Sequence, residues 1–190
     1  ILPNLYSYIL IQSKRISTEA LNRHAAALRM RGRPKVVLAR TYEEALAYYE
    51  KYPNNILGVI SDVRFPKDGV KDPEAGLKLL REIRKRDEYV PLIMESSESH
   101  NREKAEKEGF RFVDKNSKKM SLDLRHLMEE HMGFGDFIFR DPKTRQEVAR
   151  ISSLKELQDN IFNIPYDSML FHISRNHVSR WLSARGIFPV

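Results

Sequence analysis

Between residues 35 and 131 short apolar runs alternate with helix-forming stretches, and that alternation admits very few architectures. The runs are 35–39 (KVVLA), 56–61 (ILGVIS), 91–94 (PLIM) and 110–113 (FRFV). They are largely continuous in apolar residues rather than alternating, with Arg111 as an interruption, which is the pattern of strands buried on both faces of a parallel sheet. The stretches between them read as helices. Thr41 with Glu44 forms a capping box opening a helix to about Tyr52. Further helices are expected from Glu74 to Arg86, from His100 to Glu108 (ended by Gly109) and from Ser121 to His131, with 62–73 as a loop. Right-handed crossovers then give an α/β fold, a parallel sheet flanked by helices.

Two other regions frame this core. Residues 3–30 contain no Gly, and no Pro after Pro3, and carry apolar side chains at helical spacing at Leu5, Ile9, Ile16, Ala20 and Ala27. They predict one long first helix, 1–31, of ~40 Å, ended at Gly32-Arg33-Pro34 and long enough to serve a homodimer contact. After Gly133-Phe134-Gly135, the segments 136–140 and 147–151 read as a hairpin around Asp141-Pro142-Lys143. A second capping box, Ser153 with Glu156, starts a helix to about Phe162, and another is expected from Pro165 to Ala184. Met169, Leu170, Ile173, Val178 and Trp181 would form its docking stripe. His172 and His177 stand five apart, a poor spacing for a metal pair on one helix, and read as packing or hydrogen-bonding residues. The expected domains are 1–132 and a small α+β appendage, 133–190.

Composition excludes several functions. With no Cys there are no disulfides, thiolate metal sites or cysteine nucleophiles. No apolar run approaches the ~20 residues of a bilayer span, and no secretory signal is visible, so a cytoplasmic location is the default expectation. Net charge is +7. Its excess lies in the first 34 residues, where six basic residues face one acid. Cations near a helix C-terminus complement its dipole, and nucleic acid is not the expected partner. No Gly-rich phosphate loop occurs.

Functional sites of open parallel sheets lie beyond the carboxyl ends of the strands. The runs here end in Asp62, in Glu95-Ser96-Ser97 and in Asp114-Lys115-Asn116. A carboxylate, a hydroxyl and an ammonium therefore converge, a set suited to phosphoryl transfer onto a carboxylate. Asp62 would attack, Lys115 would neutralise the transferred oxygens, and Ser96 would hydrogen-bond the acyl phosphate.

In these residues the chain resembles the receiver (response-regulator) domains of two-component signalling. The acceptor motif Asp-x-x-x-Pro is matched by Asp62-Val63-Arg64-Phe65-Pro66, the hydroxyl position by Ser96, and the lysine by Lys115 with Phe112 three residues before it. The Gly–apolar step of the third helix is matched by Gly76-Leu77. Ser97 replaces the usual Ala, and the 62–76 loop is longer than usual. The resemblance implies a flavodoxin-like fold, Asp62 as phosphoacceptor, Phe112 as a switch residue, and Mg²⁺ held by Asp62, the Arg64 carbonyl and an acidic pair. That pair belongs to a first strand not found in residues 1–34, so either the strand precedes Ile1 or the domain lacks it. Gly133-Phe134-Gly135-Asp136-Phe137 and Arg175-Asn176-His177 with Trp181 resemble a bacterial subgroup. In it a receiver-like region precedes a pyruvate phosphate dikinase/phosphoenolpyruvate synthase nucleotide-binding domain. This implies a regulatory module, not itself an enzyme, with a histidine kinase or other phosphodonor as partner and the controlled enzyme downstream in the same chain. The alternatives are a DNA-binding response regulator with 133–190 as output, and a phosphorylation-independent interaction domain.

Overall fold

The computed structural model describes residues 2–18 and 32–187. The remainder of the expected first helix, with Arg23, Arg29, Arg31 and any dimer contact made there, lies outside the described residues. Among those described, no helix is long and apolar enough to cross a membrane. Contacts divide the chain into Val36–Leu127 and a second unit of Ile1–Lys35 with Met128–Val190. The first helix thus groups with the C-terminal residues, whereas the sequence boundary had placed it with the parallel sheet.

The unit Val36–Leu127 is an α/β structure whose three parallel strands are flanked by helices. Helix α1 (Leu2–Thr18) belongs to the other unit; here the elements begin with α2 (Tyr42–Lys51) and β1 (Val59–Asp62). The hairpin β2 (Phe65–Lys67) and β3 (Val70–Asp72) follows, then α3 (Ala75–Arg86), β4 (Leu92–Ser96), α4 (His100–Lys107), β5 (Arg111–Asp114) and α5 (Met120–His131), whose residues from Met128 on belong to the other unit. The sheet order is β1-β4-β5, all parallel. The Thr41 capping box forms as expected. The Glu44 N–H donates to Thr41 Oγ1 at 3.1 Å, and Glu44 Oε2 accepts from the Arg40 N–H at 2.7 Å. Leu80, Ile83, Leu92 and Met94, almost wholly buried, join α3 to the sheet and form its core with Val90, Ala105 and Phe110.

Two expectations fail here. Residues 35–39 form no strand, and Val37 and Leu38 are exposed. A strand exists only through its ladder, and these residues pair with no neighbour in any described sheet. The loop 62–73 instead contains the β2–β3 hairpin, turning at Asp68 (φ 53°) and Gly69 (φ 76°). Asp-Gly is the dipeptide that a two-residue type I′ turn favours.

In the second unit α1 buries Leu5 and Ile9, and the Tyr8 hydroxyl donates to Glu129 Oε1 at 3.0 Å. The hairpin β6 (Phe137–Arg140) and β7 (Glu147–Ile151) forms as expected. It packs with α6 (Leu154–Asn160), the 3-10 turn Ile161–Asn163, α7 (Tyr166–Ile173) and α8 (His177–Ala184). Phe137, Phe139, Ile151, Ile164 and Trp181 are its core. The single helix expected over 165–184 is broken between α7 and α8, where Asn176 takes a left-handed φ of 58°. Asn tolerates that conformation better than most residues. Met169, Val178 and Trp181 do pack in the core, but Leu170 and Ile173 face outward.

The break brings His172 and His177 together, Nδ1 to Nδ1 at 3.0 Å. Because the Arg140 N–H donates to His172 Nε2 at 3.0 Å, neutral His172 carries its proton on Nδ1 and gives it to His177. Burial lowers both imidazoles from 6.5 to about 4, with Arg140, Arg175 and Arg145 adding to the shift of His172 and its own neighbour His172, Arg180, Arg175 and His131 to that of His177. Groups held neutral in the folded state stabilise it above the ordinary imidazole pKa, and that contribution is lost as pH falls through 6.5 toward 4. Chemical denaturation followed by Trp181 fluorescence should therefore show this unit weaker by about 2 kcal/mol or more near the acid end of that window. A His172→Gln, His177→Gln double variant should flatten the slope; an unchanged slope would contradict the assignment.

Candidate functional site

Parallel pairing places the carboxyl ends of β1, β4 and β5 on one edge of the sheet. Asp62 is in register with Glu95, and Glu95 with Val113, so Asp62 and Glu95 leave the same face. Lys115 follows β5 directly, its N–H bonded to the Ser96 carbonyl at 2.9 Å. Its Nζ lies 2.6 Å from Asp62 Oδ2 and 3.4 Å from Glu95 Oε1. One ammonium thus bridges two carboxylates. Asp62 is about half exposed while its other oxygen, Oδ1, accepts the Val63 N–H at 2.7 Å. Burial pushes the Glu95 carboxyl above its usual range, with Lys115 opposing and Asp62 reinforcing the shift.

The helix that follows shapes this strand end. Gly76, near the start of α3, lies against the backbone of Asp62, and its N–H donates to the Val63 carbonyl at 3.0 Å. A Cβ there would sit 1.9 Å from the Asp62 carbonyl oxygen. Only glycine lets α3 approach so closely.

The other sequence candidates are distributed around the pair. Arg64 sends its side chain to an ion pair with Glu98 in the loop after β4. Ser96 is the residue after Glu95, so its side chain leaves the strand on the opposite face. Its hydroxyl is buried and accepts from the Glu98 N–H at 3.1 Å and from Asn101 Nδ2 at 3.0 Å. Among the described residues no hydrogen bond joins it to Asp62. Asn116 Nδ2 donates to the Ser97 carbonyl at 2.8 Å, tying the loops after β4 and β5. Phe112 is half-buried against the core with the Arg102 guanidinium 4.7 Å over its ring. The residue that sequence reasoning passed over is Glu95. It stood at the strand end in plain view, but only the register reveals that it, and not Ser96, lies beside Asp62.

Hard cations take about six to eight oxygen ligands. The described residues offer two carboxylates already shared with an ammonium, and no group of three or more His, Cys, Asp or Glu side chains is placed to hold a metal. By themselves they do not fit Mg²⁺. Comparison with protein families, with curated proteins and with solved structures returns no match.

Proposed function

We propose that residues 36–127 are a receiver-like regulatory module of flavodoxin type in which Asp62 accepts a phosphoryl group. The observation that carries this is the 2.6 Å approach of Lys115 Nζ to Asp62 Oδ2 at the carboxyl ends of three parallel strands. A carboxylate oxygen of Asp62 would attack the phosphorus of a phosphohistidine or a small acyl phosphate, and the bond to the leaving group would break. Lys115 would then hold the transferred oxygens, a preorganised charge of the kind that dominates phosphoryl transfer. In the flavodoxin-like order 2-1-3-4-5 the second strand pairs only with the first. On that order residues 35–39, which pair with no strand among the described residues, would hold the place of the second strand. On this reading the partners are a phosphodonor, such as a histidine kinase, and a downstream enzyme region of phosphoenolpyruvate synthase type.

A phosphorylation-independent interaction module is the second reading, favoured by the shortage of metal donors among the described residues and by a Lys115 that already pairs with Asp62. A DNA-reading role for 133–190 has less support, since Arg180 and Arg185 are buried while base readers must be exposed. Incubating the chain with acetyl phosphate and Mg²⁺ and measuring intact mass separates the first two. Phosphorylation predicts a gain of one phosphoryl group that Asp62→Asn abolishes. Lys115→Ala should slow the gain by about 100-fold or more, the scale of losing one preorganised charge. No gain in wild type favours the second reading.

A further inference from the structure

Helix α7 has an outer face that no described residue of its own unit covers. Tyr166, Leu170 and Ile173 stand at i, i+4 and i+7 and are 76%, 50% and 54% exposed. Immediately before them, in the 3-10 turn, Phe162 is 97% exposed and Ile161 is exposed beside it. Core residues of the same segment, Ile164, Ser168 and His172, point the other way and are buried. Single exposed apolar residues are ordinary, but a stripe of four or five on one segment is a binding surface.

Taking about 150–250 Å² for a large aromatic and somewhat less for Leu and Ile, the stripe shows about 500 Å² of apolar surface. That is near the upper end for a patch on a monomer. Doubled, it reaches the ~1,000 Å² at which a specific interface begins, before any polar rim is added.

The charges around the stripe indicate what covers it. At its start stands Asp167, exposed and without an ion pair among the described residues. Lys155 and Asp159 neutralise each other at 2.6 Å. At its far end Arg145 and Arg175 both stack on Phe171, at 4.9 and 4.1 Å from the ring centre. A stripe acidic at one end and basic at the other complements itself when turned end for end. An anionic membrane surface would meet the Asp167 end unfavourably, and a uniformly charged peptide would match only one end.

We propose that this face is a two-fold interface between copies of this chain, with the α7 helices antiparallel and Asp167 of one copy facing Arg145 and Arg175 of the other. Antiparallel packing also opposes the helix dipoles. The interface is isologous, so it closes as a dimer rather than growing into a fibre. It is independent of the phosphoacceptor reading, because every residue involved lies in the other unit.

Sedimentation equilibrium of the full 190-residue chain over a range of concentrations tests this. The expected result is a reversible monomer–dimer equilibrium. Leu170→Asp should weaken it by about 30-fold or more, the effect of a central interface side chain. Because Leu170 is half exposed, its thermal melt at concentrations where both proteins are monomeric should remain that of wild type. Asp167→Arg should also weaken the dimer, and adding Arg145→Asp should restore it. A chain that stays monomeric throughout overturns the proposal, as does a dimer indifferent to Leu170→Asp. Open-ended assembly, or Phe162-dependent binding to anionic vesicles by a chain that remains monomeric, overturns it equally.

Discussion

Replacing Trp181 by Ala is expected to destabilise the C-terminal unit by about 4 kcal/mol, within the range for deleting a large aromatic from a core. Trp181 is the only tryptophan and one of the most deeply buried large side chains. It packs edge-on to Phe137 with ring centres 5.9 Å apart, and its Nε1–H donates to the Gly135 carbonyl at 2.9 Å. The Arg185 guanidinium lies 3.6 Å over the indole and donates to the carbonyls of Gly133 and Gly135. The indole and the guanidinium together pin the Gly133-Phe134-Gly135 turn. Removing the ring therefore opens a cavity, takes one of its two donors from the Gly135 carbonyl and removes the surface on which a buried arginine lies. Trp181→Phe keeps most of the packing and loses the N–H donor, which should cost about 1–3 kcal/mol, less than the full truncation. Urea denaturation followed by far-UV circular dichroism ranks the two. A Trp181→Ala loss below about 1 kcal/mol would contradict this packing account.

Gly76→Ala is the second large effect, and it connects stability to the candidate site. Ala is better than Gly in a helix by about 1 kcal/mol, so propensity alone predicts a gain. The contact predicts the reverse, since the new methyl would stand 1.9 Å from the Asp62 carbonyl oxygen and 2.9 Å from its carbon. Both are backbone atoms that no side-chain rotation can relieve. Either α3 shifts outward, disturbing Leu77, Leu80 and Ile83 in the core, or the end of β1 moves and takes Asp62 away from Lys115. Overpacking of this kind costs about 1–3 kcal/mol and occasionally more, and we expect the upper end. Gly69→Ala is the control. It meets nothing within 4 Å and bears only the strain of a φ of 76°, about 1–2 kcal/mol. Gly76→Ala should also slow phosphorylation of Asp62, whereas Gly69→Ala should leave it nearly unchanged. Equal effects of the two variants would mean that the close approach of α3 does not position the acceptor.

Much of this architecture was legible in the residues, and the exceptions have physical causes. Continuous apolar runs marked β1, β4 and β5, and Thr41–Glu44 and Ser153–Glu156 marked two helix starts, because these signals are local. The run 35–39 has the same composition but no ladder, and pairing is a property of the neighbour rather than of the segment. The Asp68-Gly69 turn was readable in principle. It was obscured because Phe65–Lys67 and Val70–Asp72 are short strands with no buried residue and little apolar pattern. The break at Asn176 follows no Gly or Pro, and only the left-handed φ of an asparagine announces it. Leu170 and Ile173 were assigned to the core because a helix apolar on two faces does not say which face is inside.

The same limit applies to the site. Asp62 and Lys115 were placed by the strand ends, and the structure brings them within 2.6 Å across 53 residues of sequence. Ser96 and Glu95 differ by one position, which in a strand is a change of face. The composition of the strand end could not decide between them; the parallel register does.

The central claim is that Asp62 is the residue that receives the phosphoryl group. The most direct measurement is borohydride trapping after incubation with acetyl phosphate and Mg²⁺, followed by peptide mapping. Borohydride reduces an aspartyl phosphate to the corresponding alcohol and leaves free carboxylates untouched. The account predicts one reduced residue, at position 62, strongly diminished in Lys115→Ala and absent in Asp62→Asn. No reduced residue, or one at Glu95 or Asp114 in place of Asp62, would contradict it.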